Sequence, residues 1–382
     1  MSSMGQNPTS GLLSVKRRKE IYSLCQKYDI LIVEDDPYWY LQFPSANALS
    51  VKNRGQPVSE NFPTTASHNY NTSSSGGKSS GFDFLDSLVP SYISIDVDGR
   101  VIRLDTFSKT VAPGCRLGWI SAQPAFVEKI QRITECSTQQ PSGFVQSLVA
   151  ELVMGPASSS DNGRGGSKDG SGWKVDGWVR WLEGLRGNYE RRMQLMSQIL
   201  DDGKYIINDS RRRSTSSDDD YEIVSKTKMY DFDYPMAGMF LWLRANFESH
   251  PLFDHYDHEK LGHAFWVFLT TEPYKVLTAP GSIFCPTDEI RQEKGWRYYR
   301  LCFAAIDNDL VEKHSKHFVD GCKDFWGIDD AKKLDELLKD DDEAAVVNAM
   351  MSAQVCRRAA CRGPEANHAQ GQFANDLNPI MC

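Results

Sequence analysis

In the stretch VIRLDTFSKTVAPGCRLGWI, residues 101–120, Lys109 stands just past a short apolar run, with hydroxyls at Thr106 and Ser108 before it and Arg116 after it. A lysine amine can condense with an aldehyde, and hydroxyls with an arginine can hold a phosphate dianion beside it. Together these groups suggest pyridoxal phosphate. Taken alone, a Ser-Lys dipeptide is more ordinarily a solvated lysine on a surface loop, so the reading rests on the elements that position it. Residues 101–105 form a β-type run, Pro113 and Gly114 break the chain, and residues 117–120 resume an extended pattern. Lys109 is therefore expected on a loop between two buried strands.

Upstream, Asn7-Pro8-Thr9-Ser10-Gly11 reads as a turn, and Ile21, Leu24, Cys25 and Tyr28 mark the apolar stripe of a helix. Ile30 to Val33 is a continuous apolar run of the kind that a parallel sheet buries on both faces, and it ends in Glu34-Asp35-Asp36-Pro37-Tyr38. In open α/β sheets the ligand crevice lies outside the carboxyl ends of the strands, which places Asp35, Asp36 and the Lys109 loop on one side. Residues 82–88 and 92–97 return to an apolar pattern, and Asp98-Gly99 predicts a hairpin into the Lys109 strand. Helical periodicity follows at 125–133, 144–152 and, longest, 178–200. A strand at 239–243, a helix at 258–269, strands at 275–277 and 298–303 and a helix at 310–325 complete a small α+β domain. Ser-, Gly- and Asn-rich inserts at about 57–81, 155–172 and 210–220 bury too little apolar surface to order themselves, and the tail 331–382 is expected to be mostly disordered. The implied domains are 1–205 and 206–330.

With 382 residues, 40% hydrophobic, the chain is long enough for two domains of enzyme size. A net charge of -8 with no basic stripe argues against a nucleic-acid partner. Nine cysteines without a CxxC pair read as reduced thiols in an intracellular, cytoplasmic protein, and neither a metal site nor a membrane span is expected.

NPTSG at Asn7, EDDPYWYLQF at Glu34, TFSKTVAPGCRLGW at Thr106, AGMFLWL at Ala237 and YYRLCFA at Tyr298 occur in the order seen in the class I/II, fold-type-I aminotransferases. Over residues 6–325 the chain resembles in particular the fungal aromatic and 2-aminoadipate aminotransferases, which are similar to kynurenine/2-aminoadipate aminotransferase. The resemblance implies an α/β fold: a pyridoxal-phosphate-dependent transferase (aspartate aminotransferase-like) large domain plus a small α+β C-terminal domain. It implies a transaminase of aromatic amino acids, 2-aminoadipate or kynurenine with a 2-oxo acid such as 2-oxoglutarate, working as a homodimer.

The resemblance also implies roles. Lys109 carries the cofactor and moves the substrate's proton. Asp35 pairs with the pyridine nitrogen; Asp36 competes for that role, but the family's Asp-x-x-Tyr pattern favours Asp35 and puts Tyr38 on the cofactor's phenolic oxygen. Asn7 donates to the same oxygen and borders the substrate, while Thr106, Ser108 and Arg116 bind the phosphate. Arg300 takes the substrate's α-carboxylate, its plain alternative being a strand arginine facing solvent. Gly238 is either a close-approach position or a strand bulge. The family's asparagine lies near the middle of its large domain, so the resemblance implies a large domain incomplete at its N-terminus, with weak cofactor binding and little turnover. The competing reading is a non-enzymatic, aminotransferase-like effector-binding or regulatory protein.

Overall fold

The computed structural model describes residues 1–55, 79–154, 175–210, 223–339 and 341. The chain divides into two compact units, Met1–Gln194 with Tyr234–Phe240, and Leu195–Asp233 with Leu241 onward. The change of unit falls inside the longest helix, earlier than residue 205.

The first unit opens with α1 (Val15–Lys27), whose Ser14 side chain accepts the Arg17 N–H as an N-cap. Its buried positions are Arg18 and Tyr22, while Leu24 and Tyr28 of the expected stripe are exposed. The helix is turned because Tyr22 packs with Ile32, Tyr92 and Val101, which brings the position four residues earlier, Arg18, inside. After β1 (Ile32–Asp35) come α2 (Ser45–Arg54), α3 (Asp83–Asp86), β2 (Val101–Thr106) and β3 (Gly118–Ser121). They form a sheet of order β1-β2-β3. β1 runs parallel to β2 with Asp35 opposite Leu104, and β2 antiparallel to β3 with Thr106 opposite Gly118.

Three expectations are corrected here. β1 is not buried on both faces: Ile32 and Glu34 point inward, while Leu31 and Val33 are 49% and 45% exposed. β3 carries exposed Trp119 and Ile120, so the Lys109 loop precedes an open strand rather than a buried one. No hairpin leads into β2. Residues Ile93–Ile95 make a single 3-10 turn. The Asp96 carboxylate then accepts the N–H groups of Gly99, Arg100 and Val101 at 3.0, 3.2 and 3.0 Å, so a side chain rather than a partner strand reverses the chain. The unit continues through α4 (Pro124–Cys136), α5 (Gly143–Met154) and the first part of α6 (Asp176–Gly203), where Val179 and Leu182 pack on Phe84 and Leu88.

In the second unit β4 (Tyr205–Ser210) and β5 (Ile223–Lys228) form an antiparallel pair. β6 (Tyr230–Phe232), β7 (Phe240–Ala245), β8 (Ala279–Pro280) and β9 (Tyr298–Cys302) make a sheet of order β6-β7-β9-β8. α7 (His258–Thr270), α8 (Asp288–Glu293) and α9 (Asn308–Trp326) accompany it. Its core is aromatic: Phe265 lies edge-on to Tyr299 at 5.2 Å and Trp326 stacks on Phe247 at 5.6 Å. The strand expected at 275–277 is coil, with Lys275 at positive φ, and pairing begins only at Ala279. Residues 331–339 are helical, with Leu334 fully buried and Asp335 accepting from the Tyr256 hydroxyl at 2.7 Å, so this part of the tail is ordered by packing. The remaining tail except residue 341, and nearly all of the three inserts, lie outside the described residues. Among the described residues no helix is long and apolar enough to cross a membrane.

Candidate functional site

The loop around Lys109 is closed at its base. The Phe107 N–H donates to Leu117 O at 3.0 Å where β2 gives way to β3, and inside the loop the N–H groups of Thr110 and Val111 return to Phe107 O at 3.2 and 2.8 Å. Lys109 therefore sits within one tight turn at the carboxyl end of β2, half-buried. The Thr106 hydroxyl donates to the Ser108 hydroxyl at 2.9 Å and accepts the Ser108 N–H at 3.1 Å, so the two hydroxyls are held side by side. Arg116 follows the 3-10 turn Pro113–Cys115 in the left-handed region, φ +45°, exposed and without an ion pair among the described residues. Gly118 is needed for the closure, because a Cβ there would lie 2.5 Å from Asp105 O.

Since β1 and β2 are parallel, their carboxyl ends share a side, and Asp35 ends β1 there. The two candidate aspartates have different environments. Asp36 is buried and accepts the Ser3 N–H at 2.6 Å, the Ser3 hydroxyl at 2.5 Å and the Met4 N–H at 3.1 Å. Asp35 is exposed, and its side chain accepts no hydrogen bond among the described residues. Asp36 is thus committed to holding the N-terminal segment, and Asp35 is the exposed carboxylate of the pair. That segment carries Asn7, exposed in its turn, and Gly5 crosses Gly238 so closely that a Cβ on Gly5 would stand 2.7 Å from the Gly238 Cα. Gly238, at φ +88°, is the close-approach position rather than a bulge. Tyr38 is buried, edge-on to Phe240 at 6.0 Å.

Sequence reasoning missed a buried charge network under these residues. Glu34 lies opposite Arg103 across the β1/β2 ladder, and their side chains pair at 3.4 Å. Arg103 also grips Asp105 with two bonds of 2.8 Å and lies 4.9 Å over the Trp39 ring. Arg18, fully buried, donates to the carbonyls of Leu13, Pro90 and Ser3 at 3.0, 2.9 and 3.1 Å, and stands 3.8 Å from Glu34. Burial pushes the Glu34 carboxyl up and the Arg18 guanidinium down from their ordinary pKa values, the Arg103 charge opposing the first shift and the Asp36 charge the second. The network joins α1, β1, β2 and the N-terminal segment directly behind Asp35. A glutamate and an arginine separated by 69 residues give no local signal of pairing.

Arg300 belongs to the second unit. It is buried in β9 opposite Ala279, its guanidinium 5.0 Å from the Phe284 ring, so it is not a solvent-facing strand arginine. Among the described residues no group of three or more His, Cys, Asp or Glu is placed to hold a metal ion. A lysine, two hydroxyls and a guanidinium on one closed loop, with a carboxylate at the same end of the adjacent parallel strand, fit a phosphorylated aldehyde carrying a basic ring nitrogen.

No family model matches the chain. Among curated proteins it is 34% identical over 248 residues to an L-tyrosine:2-oxoglutarate aminotransferase of Tapinella panuoides, covering 65% of this chain and 36% of that protein. It is 30% identical over 323 residues to aromatic amino acid aminotransferase 2 of Saccharomyces cerevisiae, covering 84% and 54%. Among solved structures, the aminotransferase Aro8 from Candida albicans superposes with a TM-score of 0.59 at 29% identity, covering 85% of this chain and 57% of that one. The chain spans between about a third and just over half of these relatives. By its ordered motifs, its fold and these likenesses together, the chain is similar to the fungal aromatic amino acid aminotransferases over the part of them that it covers.

Proposed function

We propose that this chain carries the lysine-bearing part of a pyridoxal-phosphate-dependent transaminase that moves an amino group between an aromatic amino acid, 2-aminoadipate or kynurenine and a 2-oxo acid such as 2-oxoglutarate. The observation that carries this reading is the closed loop holding Lys109 between Thr106/Ser108 and Arg116, with Asp35 at the same end of the neighbouring parallel strand. The names of the relatives support the aromatic substrate class.

When bound, pyridoxal phosphate supplies the electron sink that stabilises negative charge at the substrate's Cα. The protein's part is placement. Arg116 gives the phosphate a planar, two-pronged cation, and the Thr106 and Ser108 hydroxyls add neutral donors. The Asp35 carboxylate holds a proton on the pyridine nitrogen. Tyr38 and Asn7 take the phenolic oxygen, and the Lys109 Nζ removes a proton from the substrate Cα as a general base. Arg300 is assigned the substrate's α-carboxylate, which matches a fork-shaped guanidinium better than an ammonium. Homodimer assembly and a cytoplasmic setting belong to the same proposal. The test is to incubate the chain with pyridoxal phosphate, reduce with borohydride and map the labelled peptide by mass. Label on Lys109, abolished by Lys109→Ala, is expected; label spread evenly over surface lysines overturns the reading.

A further inference from the structure

The turn that presents Lys109 is held from outside by one helix. The Trp181 indole N–H, from α6, donates to the Thr110 carbonyl at 2.6 Å. Three residues earlier on the same helix, Trp178 lies against Phe107, ring centroids 6.1 Å apart, and Trp119 meets Phe107 from β3 at 4.9 Å. Positions i and i+3 share a helix face, so α6 grips the residue on the carboxyl side of Lys109 and the residue two before it. The two grips differ in kind. Trp178 contributes ring packing, whereas Trp181 is 52% exposed and buries only part of its ring, so what it adds is a directed bond. Thr110 itself is 3% exposed and its N–H is used within the turn, which leaves its carbonyl as the group through which an outside element can set the turn's rotation.

We propose that Trp181 is a positioning residue for Lys109: its bond to the Thr110 carbonyl fixes the turn in the rotation that aims the lysine at its aldehyde partner. This inference rests on the proposed function, and the test separates the two. The full chain is treated with pyridoxal phosphate and cyanoborohydride, and modification of each lysine is followed by mass against time, with Lys16, Lys19 and Lys27 on exposed positions of α1 as internal references. In the parent, Lys109 should label faster than the references. Trp181→Phe keeps a ring but loses the N–H. It should lower the ratio of Lys109 to reference labelling about five- to tenfold, roughly 1–1.4 kcal/mol, with the reference rates and the thermal melt unchanged. Trp178→Phe, which leaves the Thr110 bond in place, should keep the ratio within about twofold of the parent. An unchanged ratio in Trp181→Phe overturns the inference, as does an equal loss in Trp178→Phe or a change shared by the reference lysines. If Lys109 labels no faster than the references in the parent, the proposed function itself fails, and this inference with it.

Discussion

Asp35 and Asp36 are neighbours in sequence and opposites in environment, which makes their amide variants a sharp test. Asp36 accepts three short bonds from Ser3 and Met4 in a buried setting. Asp36→Asn keeps one acceptor oxygen but turns an NH2 toward donors, so one or two of those bonds are lost and a buried N–H is left without a partner. At about 1.5–3 kcal/mol for a bond to a charged group, with incomplete additivity, the cost should be roughly 2–4 kcal/mol. It also removes a negative charge that acts on the buried Arg18 guanidinium. For a unit of this size, that corresponds to a fall in Tm of roughly 4–16 °C. Asp35→Asn touches no side-chain bond among the described residues and should stay within ~0.5 kcal/mol of the parent. Scanning calorimetry of both variants measures the contrast, and proteolysis of the N-terminal segment should accelerate in Asp36→Asn alone. If Asp36→Asn melts like the parent while Asp35→Asn is destabilised, the assignment of a structural role to Asp36 and a ligand-facing role to Asp35 is wrong.

Other expectations follow from single sites. Arg116→Met should weaken pyridoxal phosphate binding about 10- to 100-fold, with Arg116→Lys recovering only part of it; a fluorescence titration showing equal affinity for all three would remove Arg116 from the phosphate site. Gly203→Ala puts a Cβ 2.4 Å from the Val319 Cγ1 and should cost about 1–3 kcal/mol, read by urea denaturation of the second unit. His250 is buried, its Nε2 3.1 Å from Phe325 O and its Nδ1 accepting the Leu252 N–H at 3.1 Å, and burial lowers its pKa from the ordinary value. The unfolded chain therefore takes up a proton near pH 6.5 that the folded chain resists. Stability from this group is full above that pH and declines as pH falls toward the folded value. A stability profile from pH 7.5 to 5 should flatten in His250→Asn, and an unchanged slope would exclude His250 as its source.

Much of the candidate loop's local structure was legible because its signals are local. Lys109 with its hydroxyls, the Pro113-Gly114 break, Gly118 and Arg116 all fall within one loop, where side-chain type and turn chemistry act over a few residues. The long helix was legible for the same reason, its apolar period repeating until Gly203 and the strand that follows. What only the tertiary structure decided were the pairings across distance. The Ile30–Val33 run looked buried on both sides, yet the inward face of β1 carries Glu34 beside Ile32, because Arg103 from β2 and Arg18 from α1 converge to neutralise it. The α1 stripe was turned because the partner of that helix, the cluster of Ile32, Tyr92 and Val101, takes Tyr22 and with it Arg18. The different environments of Asp35 and Asp36 needed the fold as well: both are carboxylates at a strand end, and which one is buried depends on where the Ser3 and Met4 amides come to rest. Local sequence determines which groups a segment can offer, but a buried charge is stable only where its partners converge, and that convergence is a property of the packed chain.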